Sequence, residues 1–319
     1  MKPVLILAGP TASGKSRLAL AIAETFAGTV INADSMQLYR ELAILTAQPE
    51  PAALARVPHR LYGILSAREP ASAGRWRALA LAEIAAAHAG FRLPIVTGGS
   101  GLYLQALTEG LSPLPQSAPE RRAAARALYD ELGPEGFHAA LAARDPLTAA
   151  RLRPRDRQRL TRAWETLEAT GQSLTQLQRA AAPEPPPGLA FAAVLLDPPR
   201  AELYAAIERR LDAMIAAGAL AEVKALLALD LPADLPLMKA VGVAELGSHL
   251  KGEATLAEAL GRAKRASRRL AKRQLTWFRH HRLAPAVFVA NGPLSAQDSE
   301  SFRGEIFNFI RQSLLTGPK

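Results

Sequence analysis

An α/β fold is predicted for this chain of 319 residues, with a parallel sheet interrupted by a small inserted helical domain. Three observations predict it. The apolar run Val4-Leu5-Ile6-Leu7-Ala8 leads through a glycine-rich loop into a helix-forming segment, the order of a buried parallel strand and its crossover helix. Further runs of strand length, Thr29 to Ala33, Pro94 to Thr97 and Ala192 to Leu196, are separated by stretches with helical spacing. Between the last two, residues 113–180 are charged and helix-like with no convincing strand, and a proline-rich linker at 180–188 closes them off.

The first strand delivers Gly9, Pro10, Thr11, Ala12, Ser13, Gly14, Lys15 and Ser16, a full match to G-x-x-x-x-G-K-[ST] in strand-loop-helix context. Its glycines let successive N–H groups converge on an anion at a helix N-terminus, where the helix dipole also favours negative charge. Lys15 adds a point charge, and the Ser16 hydroxyl is placed to ligate Mg²⁺. The core is therefore P-loop NTPase-like, and it holds a diphosphate or triphosphate. After the second strand come Asp34, Ser35, Met36 and Gln37. Ligands of such sheets sit beyond the carboxyl ends of the strands, so Asp34 is expected beside the phosphate loop, facing the acceptor. Asp-Ser after a strand also suits an Asx turn or a helix cap. The third strand runs into Gly98-Gly99-Ser100-Gly101, which brings a hydroxyl to the same strand ends but is alone a common turn.

In the insertion, Glu120 to Asp130 and Thr148 to Thr170 read as helices, and residues 151–162 hold six arginines against one aspartate. From 200 onward the spacing of Leu203, Ile207, Leu211 and Met214 is helical, and helix is expected to about 280. Residues 262–282 hold nine Lys or Arg and no acid; on a helix, Ala263, Ala266, Leu270 and Trp277 can share one side. Like charges at helical spacing repel, so two such blocks point to a phosphate backbone as partner. A short strand at Ala286 to Val289 and a final amphipathic helix complete the chain. The expected organisation is 1–112 for the first part of the core, 113–188 for the insertion and 189–319 for the rest.

The formal net charge is +10 and there are no cysteines. Disulfides and thiolate metal sites are excluded, and none of the six histidines has metal-ligand spacing. No apolar run reaches membrane-spanning length, and the first strand enters the loop directly. A cytoplasmic protein with no membrane association is expected. From the residues alone three functions stand: group transfer from a diphosphate to RNA, a kinase using ATP with Asp34 as base, and an NTP-switched RNA binder.

Four segments narrow the choice. The phosphate loop, Asn32-Ala33-Asp34-Ser35-Met36-Gln37-Leu38-Tyr39-Arg40, Gly98-Gly99-Ser100-Gly101-Leu102-Tyr103 and Ala271-Lys272-Arg273-Gln274-Leu275-Thr276-Trp277-Phe278-Arg279 together resemble the bacterial tRNA dimethylallyltransferases. The resemblance also covers Asp156, Gln158-Arg159 and Val241-Gly242. It implies prenylation of the adenine 3′ to the anticodon, with dimethylallyl diphosphate as donor and Mg²⁺ as cofactor. It assigns residues 9–16 to the donor diphosphate, with Lys15, Asp34 and Ser100 catalytic and Asp34 as the base. It implies tRNA contact by Asp34, Ser35, Met36, Gln37 and Ser100, and by Gln158, Arg159, Leu160, Thr161 and Arg162 in the insertion. Lys239 and the run Lys272, Arg273, Gln274, Leu275, Thr276, Trp277, Phe278 and Arg279 complete that set. Trp277 suits a stacking platform for a base as well as a core position. The partners expected are tRNA and the donor, acting on a monomer. This chain departs from the family pattern at Gln48, Arg60, Gly63 and Val243, positions that bear on RNA contact.

Overall fold

The computed structural model describes residues 1–112, 114, 117–180 and 183–315. Position 113, where the insertion is expected to begin, and positions 181 and 182 of the expected linker lie outside them. The chain divides into two compact units, one formed by Met1–Thr108 with Pro186–Lys319, the other by Glu109–Pro185.

The first unit is built on six strands, β1 Lys2–Ala8, β2 Gly28–Asn32, β3 His59–Arg60, β4 Leu93–Gly98, β5 Leu189–Leu196 and β6 Ala286–Ala290. They form one sheet in the order β3-β2-β4-β1-β5-β6, and every pairing is parallel. β3 is only two residues long, too short to leave a periodic signal in the sequence. β1 sits at the centre and is buried from Val4 to Ala8, which is why it reads as a continuous apolar run rather than an alternating one. Alternation sorts its side chains all the same. Val4 and Ile6 join one core layer, with Trp76, Leu104, Ile207 and Ala271; Leu5 and Leu7 join the other, with Leu18, Ile22 and Ile306.

The helices of this unit are α1 Lys15–Thr25, α2 Pro51–Arg56, α3 Ala73–Ala89, α4 Gly101–Thr108, then α9 Arg200–Ala216, α10 Ala219–Leu227, α11 Val243–Leu250, α12 Leu256–His280 and α13 Glu300–Ile310. The turns after β1, β2 and β4 all open at the carboxyl edge of the sheet, the place such folds reserve for ligands. Among the described residues no helix is long and apolar enough to cross a membrane.

The second unit holds α5 Pro119–Arg144, α6 Pro146–Ala149, α7 Arg157–Thr170 and α8 Leu174–Ala180 around Tyr129, Phe137, Leu141 and Leu160. Two helical expectations are corrected here. The helix expected to end at Asp130 continues to Arg144 through a kink at Gly133 (φ 69°), with Pro134 following. The helix expected over Thr148 to Thr170 is broken at 150–156. Pro154 lacks the N–H that a helix interior needs, and Asp156 restarts the chain as the cap of α7 by accepting from the Arg159 N–H.

Candidate active site

The phosphate loop departs from β1 at Ala8 and ends where α1 begins at Lys15. Ala12 (φ 61°) and Gly14 (φ 86°) adopt left-handed backbone conformations. At Gly14 a side chain is excluded twice, by that φ and because a Cβ would fall 1.9 Å from Gln297 Oε1. Lys15 Nζ folds back to donate to the Pro10 carbonyl at 2.5 Å. The Thr11 N–H donates to Gln274 Oε1 at 2.8 Å, and Gln274 Nε2 donates to the Gly99 carbonyl at 3.0 Å. One side chain of α12 thus ties the phosphate loop to the turn after β4. From α9, Arg210 donates to Thr11 Oγ1 at 3.1 Å and to the Thr46 carbonyl at 3.5 Å. Burial pushes the Lys15 ammonium down to about 7; Asp34 opposes this shift and Arg210 adds to it. Arg210 is lowered by the same burial, again against Asp34. Two partly dehydrated cations facing one carboxylate leave an excess of positive charge, the arrangement an anion would relieve.

Asp34 is held by a network that begins at the end of β2. The buried Asn32 accepts from the Asp34 N–H at 2.7 Å and donates to the Asp34 and Leu61 carbonyls, each at 3.0 Å. Asp34 Oδ1 accepts from the Met36 N–H at 3.0 Å, so the Asx turn read as an alternative role is present. Its Oδ2 makes no hydrogen bond among the described residues, so one oxygen builds the turn and the other remains open to chemistry. Ser100 accepts from the Ser35 N–H at 3.0 Å and lies 3.4 Å from the Ser35 hydroxyl, joining the turn after β4 to the turn after β2. Gln37 points its amide at the Thr46 and Ala47 carbonyls, at 2.9 and 2.8 Å. Tyr62 and Tyr103 stay neutral phenols, raised by burial and by the field of Asp34, with Tyr39 contributing at Tyr103. Tyr103 stacks on Trp76 at 4.7 Å, whose indole donates to the Asn32 carbonyl. The site offers an anion cradle with two cations and, beside it, a carboxylate with one free oxygen.

The model of the IPP transferase family matches residues 37–281. The chain belongs to that family. It is 55% identical over 287 residues to the tRNA dimethylallyltransferase of Rhodospirillum centenum, covering 90% of this chain and 91% of that one. It is 50% identical to the tRNA dimethylallyltransferase of Paramagnetospirillum magneticum, covering 99% and 98%. Its structure is similar to that of the full-length tRNA isopentenylpyrophosphate transferase of Bacillus halodurans, with a TM-score of 0.69 at 32% identity and coverage of 99% and 97%.

The other positions singled out by resemblance to the family divide into surface and interior. Gln158 and Arg159 are exposed on α7, Arg159 paired with Asp156. Leu160 (0% exposed) and Thr161 (6%) face the interior of the helical unit, so they offer no surface to a partner. Arg162 binds Ser117 Oγ at 3.0 Å and Glu165 at 3.5 Å. Lys239 is exposed on the short helical turn Leu237–Lys239. On α12 the buried line is Ala259, Ala263, Ser267, Ala271 and Phe278, which keeps Ala263 of the expected line and corrects Ala266, Leu270 and Trp277. Gln274 uses both ends of its amide inside the site. Leu275 and Trp277 pack against the core, and Trp277 stacks on His281 at 4.1 Å. Lys272 and Arg273 stay exposed, as does Arg279, which reaches Asp197 at 3.3 Å. Of the departures from the family pattern, Gln48 donates to the Tyr39 carbonyl at 2.6 Å, Arg60 pairs with Glu83, and Val243 is buried at the start of α11.

Arg210 and Gln297 escaped the sequence reading. Arg210 had a signal: it is a cation inside the apolar spacing Leu203, Ile207, Leu211, Met214, at a position that helical periodicity turns inward. Gln297 had none, because its short helical segment, Leu294–Asp298, is placed only by tertiary contacts.

Proposed function

We propose that this chain transfers a dimethylallyl group from dimethylallyl diphosphate to the exocyclic amine of the adenine 3′ to the anticodon in tRNA, releasing diphosphate. The observation that carries the reading is the anion cradle of residues 9–16, flanked by Lys15 and Arg210 and set beside an Asp34 carboxylate with a free oxygen. In this reading the loop N–H groups hold the diphosphate, and the two cations offset charge on the leaving oxygen as the allylic C–O bond breaks. The amine nitrogen forms the new bond to that carbon, and Asp34 Oδ2 accepts the proton it sheds. An adenine amine is a weak nucleophile, so positioning supplies much of the rate. Ser100 and Asn32 serve that end by holding Asp34 and the two strand-end turns in one frame. The adenine must leave its stack to reach the carboxylate.

The Ser16 hydroxyl is exposed at the first turn of α1. Among the described residues no group of three or more His, Asp or Glu forms a cage for a metal ion. A single hydroxyl beside an anion cradle suits Mg²⁺, which keeps several waters and shares substrate phosphates. Bound there by Ser16 and the donor oxygens, it would neutralise charge on the departing diphosphate. Action as a monomer is part of the proposal. The cytoplasm is the compartment where such a tRNA substrate is met.

The test is incubation with Mg²⁺, radiolabelled dimethylallyl diphosphate and unmodified tRNA carrying adenines beside the anticodon. Label in the tRNA that is lost on Lys15→Ala and on Asp34→Ala supports the assignment. Absence of label together with tighter binding of ATP than of the donor would overturn it in favour of a kinase or a nucleotide switch.

A further inference from the structure

Two glutamines, 263 and 284 residues downstream of their partners, set the peptide planes of the phosphate loop. A trans peptide points its C=O and N–H in opposite directions, so holding one aims the other. At the 10–11 peptide, Gln274 takes the Thr11 N–H, and the Pro10 carbonyl on the opposite side receives Lys15. At the 13–14 peptide, Gln297 Nε2 donates to the Ser13 carbonyl at 2.8 Å, which turns the Gly14 N–H away from Gln297.

The Gln297 side chain does more than fill space. It is 3% exposed, and its Oε1 is buried without a partner among the described residues, an arrangement that an apolar residue of the same size would avoid. The residue is nonetheless anchored firmly. Arg303 donates to its carbonyl at 3.2 Å, and Asp298 pairs with Arg17 at 2.6 Å and with Arg303 at 2.7 Å. Glu202 accepts from the Leu294 N–H at 2.8 Å. Helices α1, α9 and α13 thus fix the short segment that presents the amide to the loop. Gly14 makes room for it by lacking a side chain.

We propose that Gln297 is a positioning residue for the donor diphosphate: it fixes the Ser13–Gly14 peptide so that the Gly14 N–H faces the anion. This inference rests on the reading of residues 9–16 as the donor cradle. It assigns a role to a residue outside the span matched by the family model, which ends at 281.

The test uses the full chain with Gln297→Met, Gln297→Glu and Arg303→Gln, and inorganic diphosphate as probe. Calorimetric diphosphate affinity, steady-state constants for donor and tRNA, and melting temperature are measured on each. Gln297→Met keeps the bulk and loses the donor, so the diphosphate Kd and the donor KM rise about tenfold. Gln297→Glu sets an acceptor against the Ser13 carbonyl and raises both further. The kcat at saturating donor and the KM for tRNA stay within about twofold, a split that general loosening of the fold would not produce. Arg303→Gln, a partly exposed change that unhooks the same segment, acts in the same direction by about threefold. It decides the matter if neither change at 297 folds. Unchanged diphosphate affinity in a folded Gln297→Met, or unchanged donor KM in Arg303→Gln, would overturn this proposal alone. Failure of the unaltered chain to bind diphosphate would overturn the donor reading and this inference with it.

Discussion

The phosphate loop and helix α12 both attract notice through their cations, and they handle them in opposite ways. The loop has a single lysine, and its surroundings hold it by hydrogen bonds: two glutamines on its backbone and an arginine from α9 on the Thr11 hydroxyl, beside a glycine without room for a side chain. Helix α12 is crowded with Lys and Arg, and the fold divides them into two sets. Lys264 reaches Asp212 at 2.7 Å, and Arg268 pairs with Glu208, so acids of α9 neutralise part of a run that has no acid of its own. Arg265, Arg269, Lys272 and Arg273 make no such pairs among the described residues. The phosphate-loop motif is local and can be read from eight consecutive residues. The meaning of a charge run depends on the neighbouring helix, and the pairing with α9 takes Lys264 and Arg268 out of the set available to a nucleic acid.

The contrast can be broken most severely at the loop. Lys15→Ala is expected to reduce turnover by about a thousandfold, since in the proposed reaction the removed charge acts on the leaving group; retained diphosphate affinity in calorimetry would refute the role. Asp34→Asn keeps the Asx turn and removes the proposed base, so kcat is expected to fall by about 10²–10⁴-fold, while tRNA affinity in a filter-binding assay stays largely unchanged. Turnover within a few-fold of the original would transfer the proton to another group.

On the helix, neutralising Arg265, Arg269, Lys272 and Arg273 together is expected to flatten the slope of log affinity against log salt by about 3. Neutralising the paired Lys264 and Arg268 instead should change that slope by less than one and cost up to about 1 kcal/mol each in stability. Equal slopes in the two variants would show that the pairing with α9 does not sort the charges. Where helix meets site, Gly101→Ala would place a Cβ 2.3 Å from the Trp277 ring. Overpacking of this kind costs about 1–3 kcal/mol, read as a lowered melting temperature; an unchanged value would mean that Trp277 yields freely.

A separate effect is in pH. Burial holds Lys15 near 7, whereas in the unfolded chain it titrates at about 10.4. Between these values the unfolded chain binds more protons, so the donor-free protein gains stability as pH rises through that window. Lys15→Met should remove that part of the slope in melting temperature against pH.

Much of the architecture was legible because it is written in local terms. The strand-loop-helix at 4–25, the strands leading to Asp34 and to Gly99, and the helical stretch between β4 and β5 follow from apolar runs and turn residues whose consequences lie within a few positions. The kink at Gly133 and the break at Pro154 carried local signals too, but uniform helical composition on either side hid them. What escaped depended on partners distant in sequence. The buried stripe of α12 follows the spacing 259, 263, 267, 271 and 278 because that face packs on the core, and it places small Ala and Ser where a larger apolar line seemed natural.

The sequence by itself determined the strand-loop-helix at residues 4–25, the parallel core that positions it and the nearness of Asp34, because short-range backbone preferences and strand polarity suffice for all three. Only the tertiary structure decided that Arg210 joins Lys15, that Gln274 and Gln297 hold the loop, that Leu160 and Thr161 turn inward, and which cations of α12 remain free. A hydrogen bond or an ion pair between residues tens to hundreds of positions apart leaves no periodic trace in a single chain; it exists only once burial of apolar faces has brought the elements together.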